Sequence, residues 1–298
     1  MKLTERVKKL RDQSLNAVES ISAERALLVT EFYKSDMAGE VSVPVRRARA
    51  FEYILKNKKL CINEGELIVG ERGPEPKATP TYPEISLHSL DDLEILDKRE
   101  KVSFRVSDEV KNIYRDEIIP FWKGKSNRDK IMEAMTPDWK KAYKAGVFTE
   151  FQEQRAPGHT VLGYKLFHTG FLDLKNEIEE SMSALDYYND RYAYDKAEEL
   201  RAMDIACDAI IMYAGRNADE LEKMAAESKD EARRDELQEM ARICRRVPAH
   251  APETFHEILQ HYWFIHLGVV SELNPWDSFN PGRLDQHLYP AYTREMTE

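Results

Sequence analysis

Apolar residues recur at helical spacing through Val7, Leu10 and Leu15, through Ala26, Leu27 and Phe32, and through Val45, Ala48, Phe51, Tyr53 and Ile54. Residues three, four and seven apart share one face of an α-helix, so the first sixty residues read as three helices. Pro44 suits the first turn of the third, where a missing N–H costs nothing. Asn63-Glu64-Gly65 is a turn signal, and the short apolar run Leu67-Ile68-Val69, closed by Gly70, reads as a strand. The four prolines between Gly73 and Pro83 predict an ordered loop. Helical patterns resume near Leu90 and again from Val110 to Trp122.

From Leu172 to Arg245 the spacing is almost wholly helical. Ala197, Leu200, Met203, Cys207, Ile210 or Ile211 and Ala214 fall on one stripe, and two or three long antiparallel helices account for the segment. Asp173 is a candidate cap for one helix start. Pro248 and Pro252 break the run. A further helix from Glu253 to about His266 carries Phe255, Tyr262, Trp263 and Phe264, an aromatic content that predicts burial on several faces. Val269-Val270 then reads as a strand, and Asn274 to Gly282 as a turn-rich loop. There is no internal repeat.

Composition narrows the function classes. The chain has 298 residues, 42% hydrophobic and 33% charged, enough for one large domain or two ordinary ones with real cores. A formal net charge of −10, with both signs mixed along the helices, argues against a nucleic-acid partner. No apolar run resembles a signal peptide or approaches membrane-spanning length, so the expected location is cytoplasmic, with no membrane partner. Cys61, Cys207 and Cys244 are odd in number and widely spaced, which fits neither a disulfide framework nor paired metal ligands.

Two loops carry candidate chemistry. Gln154-Arg155-Ala156-Pro157-Gly158-His159-Thr160 sets a rigid Pro-Gly turn before an imidazole and a hydroxyl, which would present polar groups to a pocket or stand as a plain surface turn. Trp276-Asp277-Ser278-Phe279 puts a carboxylate between two aromatics, suited to a ligand cation or, equally, to a helix cap beside a core tryptophan. His256-Glu257 and His261 superficially resemble the zinc-protease helix. The histidines are five apart rather than four, so they diverge on a helix and cannot share one ion; no metal site is expected. Phosphate-binding glycine loops, dinucleotide fingerprints and Ser or Cys nucleophile motifs are absent.

Three blocks carry a family resemblance: Ile62 to Glu71 (INEGELIVGE), Glu153 to Thr160 (EQRAPGHT) and Trp276 to Leu288 (WDSFNPGRLDQHL). With Thr81 to Ile85, Met135-Thr136-Pro137 and Val247 to His250, they resemble the pyruvate formate-lyase-like glycyl-radical enzymes from about Glu5 to the last residue. Within that family the hydroxyproline dehydratase branch is the nearest in pattern, because Phe148 to Phe151 precedes the Pro-Gly-His loop and Glu272-Leu273-Asn274 precedes Trp276-Asp277.

The resemblance implies a ten-stranded barrel in two halves jacketed by helices. This chain, residues 1–298, would be the N-terminal part of one such domain: mainly α with a few strands (α/β), the barrel incomplete. Positions matching Phe151, His159 and Asp277 line the substrate pocket of the dehydratases. There an aspartate can pair with the cationic ring nitrogen of hydroxyproline, a histidine can hydrogen-bond its polar groups, and a phenylalanine can pack on the ring.

The implied reaction is radical dehydration to pyrroline-5-carboxylate and water. It uses a cysteine thiyl and a post-translational glycyl radical, both expected beyond Glu298, since no cysteine of this chain matches the catalytic position. The implied partners are a radical S-adenosylmethionine activating enzyme and, at full length, a second copy in a homodimer. Alternatives are dehydration of glycerol or propanediol, choline or sulfonate cleavage, a formate acetyltransferase-like lyase, or a non-catalytic helical scaffold.

Overall fold

The computed structural model describes residues 3–147, 163–273 and 281–297. The three expected N-terminal helices are α1 (Glu5–Asn16), α2 (Glu24–Lys34) and α3 (Val43–Asn57), with Pro44 in the first turn of α3 as anticipated. Between α1 and α2 lies a three-residue strand, β1 (Ser20–Ser22). It pairs in parallel with β2 (Ala78–Pro80), Ile21 opposite Thr79. β2 sits inside the proline-rich stretch expected to be all loop. Pro80 can end a strand at an edge, where its missing N–H is not called on.

Short helices follow: α4 (Leu90–Lys98), then α5 (Asp108–Ile113), which runs through a π-helical turn at Tyr114–Ile118 into α6 (Ile119–Trp122). The sequence pattern did not anticipate α7 (Asn127–Ala134) and α8 (Pro137–Lys144). Both begin with a hydroxyl cap, Ser126 on Asp129 N–H and Thr136 on Trp139 N–H, followed by too little apolar periodicity to stand out.

The long helical segment resolves into α9 (Phe171–Ser183), α10 (Ala193–Glu227) and α11 (Glu231–Arg246). Asp173 serves the start of α9 from inside the helix, accepting the Gly170 N–H at 2.8 Å. α10, 35 residues and so about 50 Å long, packs against α3, α9 and α11. Its predicted stripe is buried at Ala197, Cys207, Ile210 and Ala214, but Leu200 is half-buried and Met203 is 52% exposed.

The helix expected to end near His266 continues as α12 (Phe255–Leu273), and α13 (Leu284–Thr297) completes the described chain. Val269-Val270 is therefore helix, not strand. Its β-branched pair follows an unbroken helical run and faces packed neighbours, and that context outweighs local β-propensity. Of the aromatics of α12 only Phe264 is fully buried; Phe255, Tyr262 and Trp263 are half-buried.

One core joins α3, α10, α11 and α12 through Leu55, Tyr213, Leu221, Met240, Phe264 and Leu267. A second joins β1, α2 and α4 to the π-helical turn and α6 through Ile21, Val29, Leu93, Tyr114, Ile118 and Trp122. Full burial of a side chain such as Leu55 or Leu221 contributes roughly 1.5–3 kcal/mol.

Candidate functional site

Phe151, His159 and Asp277 lie outside the described residues. The described chain that follows each of their two segments packs on α12, and α12 itself leads into the second. α12 opens with a capping box: Thr254 Oγ1 accepts the Glu257 N–H at 3.1 Å, and Glu257 accepts the N–H groups of Glu253 and Thr254 at 2.8 and 3.2 Å. Burial works to raise the Glu257 pKa, but those two donors, with Arg242 and Arg246, outweigh it and hold the carboxyl below its usual range.

Along one stripe of α12, polar side chains at positions 256, 260 and 263 meet the backbone of the Leu67–Gly70 segment. His256 Nε2 lies 2.6 Å from the Leu67 carbonyl. Gln260 accepts the Val69 N–H at 2.8 Å and donates to the Val69 carbonyl at 2.9 Å, and Trp263 donates to the Gly70 carbonyl at 2.7 Å. This corrects the expected strand at Leu67-Ile68-Val69. A buried backbone must satisfy its polar groups somewhere, and here a side-chain amide takes the place of a neighbouring strand. Gly70 adopts φ +114°, and a Cβ there would sit 2.5 Å from the Leu267 side chain, so the segment can pass this close to α12 only as glycine. From the other side, Lys58 donates to the Glu71 and Arg72 carbonyls at 2.7 and 3.2 Å, and burial pulls its pKa down to about 8.

The C-terminal end of α12 leads directly into the 274–280 segment. The last carbonyls of a helix have no partner within it. Here Tyr82 Oη donates to the Val270 carbonyl and Arg25 Nε to the Ser271 carbonyl. Arg25 is buried, lies 4.0 Å above the Tyr82 ring, donates to the Thr81 carbonyl and pairs with Glu84 through both terminal nitrogens, 2.6 Å at the closest. A cation at a helix C-terminus also meets the negative end of the helix dipole. Glu272 pairs with Arg47; burial lifts its pKa, opposed by the charges of Arg47 and Arg25.

The exits of the two undescribed segments meet on another side of α12. A short 3₁₀ turn at Gly163–Phe167 follows the first, and α13 follows the second. Phe167 stacks on His287 with ring centroids 4.7 Å apart, and Leu166, Phe167, Ile258, Ile265 and Ala291 form one buried cluster. His261 is wholly buried, and among the described residues neither ring nitrogen has a hydrogen-bond partner of good geometry. Burial brings its pKa down to about 4, opposed by the Leu166 backbone. It is therefore neutral at ordinary pH. His256 and His261 serve separate surroundings, as their five-residue spacing implies. Among the described residues no cluster of three or more His, Cys, Asp or Glu side chains could hold a metal ion.

The matching stretches outside the two loops thus gain a physical role. Within Ile62 to Glu71, Leu67–Gly70 runs along α12, and Thr81 to Ile85 secures its C-terminal end. Val247 to His250 fixes the start of α9, where Pro248 and Ala249 accept the Phe171 and Leu172 N–H groups at 2.8 and 2.9 Å. Sequence reasoning missed Arg25, Tyr82, Glu84 and Gln260 as parts of this frame. Arg25 in particular looks like one more charge on a solvated helix face. All three cysteines are free thiols, and burial lifts Cys61 and Cys207 to about 11 and Cys244 to about 12, far from nucleophilic at neutral pH.

The family described as pyruvate formate lyase-like matches residues 2–298, and the chain belongs to it. Over 292 residues it is 53% identical to the trans-4-hydroxy-L-proline dehydratase of Clostridioides difficile, a match covering 98% of this chain and 37% of that protein. The crystal structure of hydroxyproline dehydratase from Clostridioides difficile with trans-4-hydroxy-L-proline bound matches with a TM-score of 0.94 and 52% identity, over 99% of this chain and 37% of that one. The glycerol-bound B12-independent glycerol dehydratase from Clostridium butyricum matches with a TM-score of 0.90 and 33% identity, over 98% of this chain and 37% of that one. The chain spans a little over a third of the length of these relatives. Among the described residues no helix is long and apolar enough to cross a membrane.

Proposed function

We propose that this chain is the N-terminal portion of a glycyl-radical dehydratase that, when complete, converts trans-4-hydroxy-L-proline to pyrroline-5-carboxylate and water. The observation that carries the reading is 53% identity, over nearly the whole chain, to a dehydratase named for that substrate. The frame around α12 supports it: a helix secured at its C-terminal end by Arg25 and Tyr82 is a rigid support for the segment bearing Asp277.

In this reading Asp277 pairs with the cationic ring nitrogen, Phe151 packs against the ring, and His159 hydrogen-bonds a polar group of the substrate. The polypeptide beyond the matched portion supplies the glycyl radical and the cysteine thiyl that takes a hydrogen atom from the carbon beside the nitrogen. The neighbouring C–O bond then breaks, the hydroxyl leaves with a proton as water, and the hydrogen atom returns from the thiol. Substrate and product thus differ by one water. Installation of the radical calls for a radical S-adenosylmethionine activating enzyme and anaerobic conditions, and we place the working enzyme in the cytoplasm as a homodimer.

The test uses the complete protein, activated without oxygen, with the radical counted by electron paramagnetic resonance. Hydroxyproline-dependent pyrroline-5-carboxylate should form and fall at least about a hundredfold in Asp277→Ala with the radical yield unchanged. A fully radical-loaded enzyme that ignores hydroxyproline and dehydrates glycerol instead would overturn the substrate assignment.

A further inference from the structure

The last turn of α12 is tied at three consecutive residues, each to a different part of the chain. Tyr82 Oη, in the stretch after β2, donates to the Val270 carbonyl. Arg25 Nε, on α2, donates to the Ser271 carbonyl at 2.5 Å, and Arg47 Nε, on α3, pairs with the Glu272 carboxylate. Successive residues of a helix are turned by about 100°, so these ties reach the helix end from different sides and oppose both tilt and rotation. One turn earlier Gly268 lies against α10, where a Cβ would collide with the Ile210 side chain. The body of the helix is thus set by close packing and its end by three donors.

The three ties are not equivalent. Arg25 and Tyr82 are buried, and a change at either acts first on stability. The Arg47–Glu272 pair stands at the edge, its side chains 43% and 25% exposed, and pairs this accessible contribute little to stability. It is also the tie made through a side chain of α12 itself; the other two end on backbone carbonyls. Glu272 precedes Asp277 by five residues, which span at most about 17 Å. A turn of about 4° at Glu272 carries the far end of such a span by roughly 1 Å, and a displacement of that size can cost about a hundredfold in an active site.

We infer that Arg47 and Glu272 are positioning residues for Asp277: their ion pair fixes the direction in which the chain leaves α12, and through it the place of the carboxylate that meets the substrate's cationic nitrogen. The inference rests on the reading of Asp277 as the partner of that cation. Arg47 and Glu272 act through Asp277 and do not touch the substrate.

The experiment uses the complete, radical-loaded protein. Glu272→Gln keeps the side chain's shape and removes its charge, and Arg47→Gln reaches the same pair from α3. Each should raise KM for hydroxyproline about tenfold with kcat and radical yield held within about twofold, the signature of a displaced binding group. The double variant should match the singles rather than multiply them to about a hundredfold, because the two residues act as one unit. A structural role alone would lower radical yield and kcat and leave KM in place.

In parallel, amide hydrogen exchange on the unactivated protein needs no substrate. It should quicken at least about fivefold over residues 271–278 in Glu272→Gln and stay unchanged over α10, which reports that the variant is folded. If the wild type turns over hydroxyproline while KM is unchanged in both singles, or the singles multiply, the inference falls and the substrate reading stands. If the radical-loaded wild type ignores hydroxyproline, the substrate reading falls, and exchange alone decides whether the pair fixes the segment: faster exchange upholds that role and unchanged exchange overturns it.

Discussion

His261→Leu isolates one buried group whose protonation the fold resists. In the native chain the imidazole is wholly enclosed and its pKa is depressed to about 4, against 6.5 for an ordinary histidine. Between those values the unfolded chain binds a proton that the folded chain refuses. Stability is therefore fully present above about pH 6.5 and declines as pH falls toward 4. The gap corresponds to about 3 kcal/mol over that interval, a large fraction of the total stability of an ordinary domain.

Leucine fills nearly the same space and cannot titrate. It also removes two buried nitrogens that lack well-formed partners among the described residues, which should add about 1 kcal/mol or more at pH 7. Urea denaturation between pH 4.5 and 7.5 separates the two effects. The wild-type chain should lose stability steeply across this range, and His261→Leu should lose markedly less while starting higher at neutral pH. His88, His168 and His266 are also shifted downward by burial and remain in the variant, so the difference between the two curves is the informative quantity. Carboxylates held below their usual range, such as Glu94 at about 2, come into play only at the acid end. Parallel curves for the two proteins would refute the reasoning.

Arg25→Met should cost about 3–5 kcal/mol, because it breaks the buried Arg25–Glu84 pair and removes the Arg25 donor from the Ser271 carbonyl. Adding Glu84→Leu should recover part of the loss, and a urea double-mutant cycle showing no coupling would count against the network. Gln260→Leu should cost about 2 kcal/mol or more, since the Val69 N–H and carbonyl both lose their partner; hydrogen exchange at Val69 should quicken with it, and unchanged protection would argue against the side-chain pairing. The three thiols should react slowly with iodoacetamide at pH 7.5, Cys61 first as the half-buried one, whereas fast modification of Cys207 or Cys244 in the native chain would contradict their burial.

The periodic elements of this protein were legible in its sequence because their signals are local. Apolar spacing located α1 to α3, the Pro44 start of α3, and the long α9 to α11 segment; Asp173 was recognisable as a helix-start residue. The three blocks and their intermediate stretches placed the chain in its family.

What failed was whatever depended on neighbours distant in sequence. Leu67-Ile68-Val69 has a strand's composition, but Gln260, almost two hundred residues away, takes the place of a pairing strand. Val269-Val270 has the same composition and continues a helix because the rest of α12 is already packed. Arg25, surrounded in sequence by ordinary helix residues, became a buried cap only when β2, the 81–85 stretch and the end of α12 met around it.

The candidate pocket residues Phe151, His159 and Asp277 were named from motifs, and what the tertiary structure added is the frame on which their segments are strung. Local periodicity follows from the geometry of a single helix or strand. The partner of a buried charge or an extended backbone is decided by which distant surfaces come together, and no window of the sequence contains both.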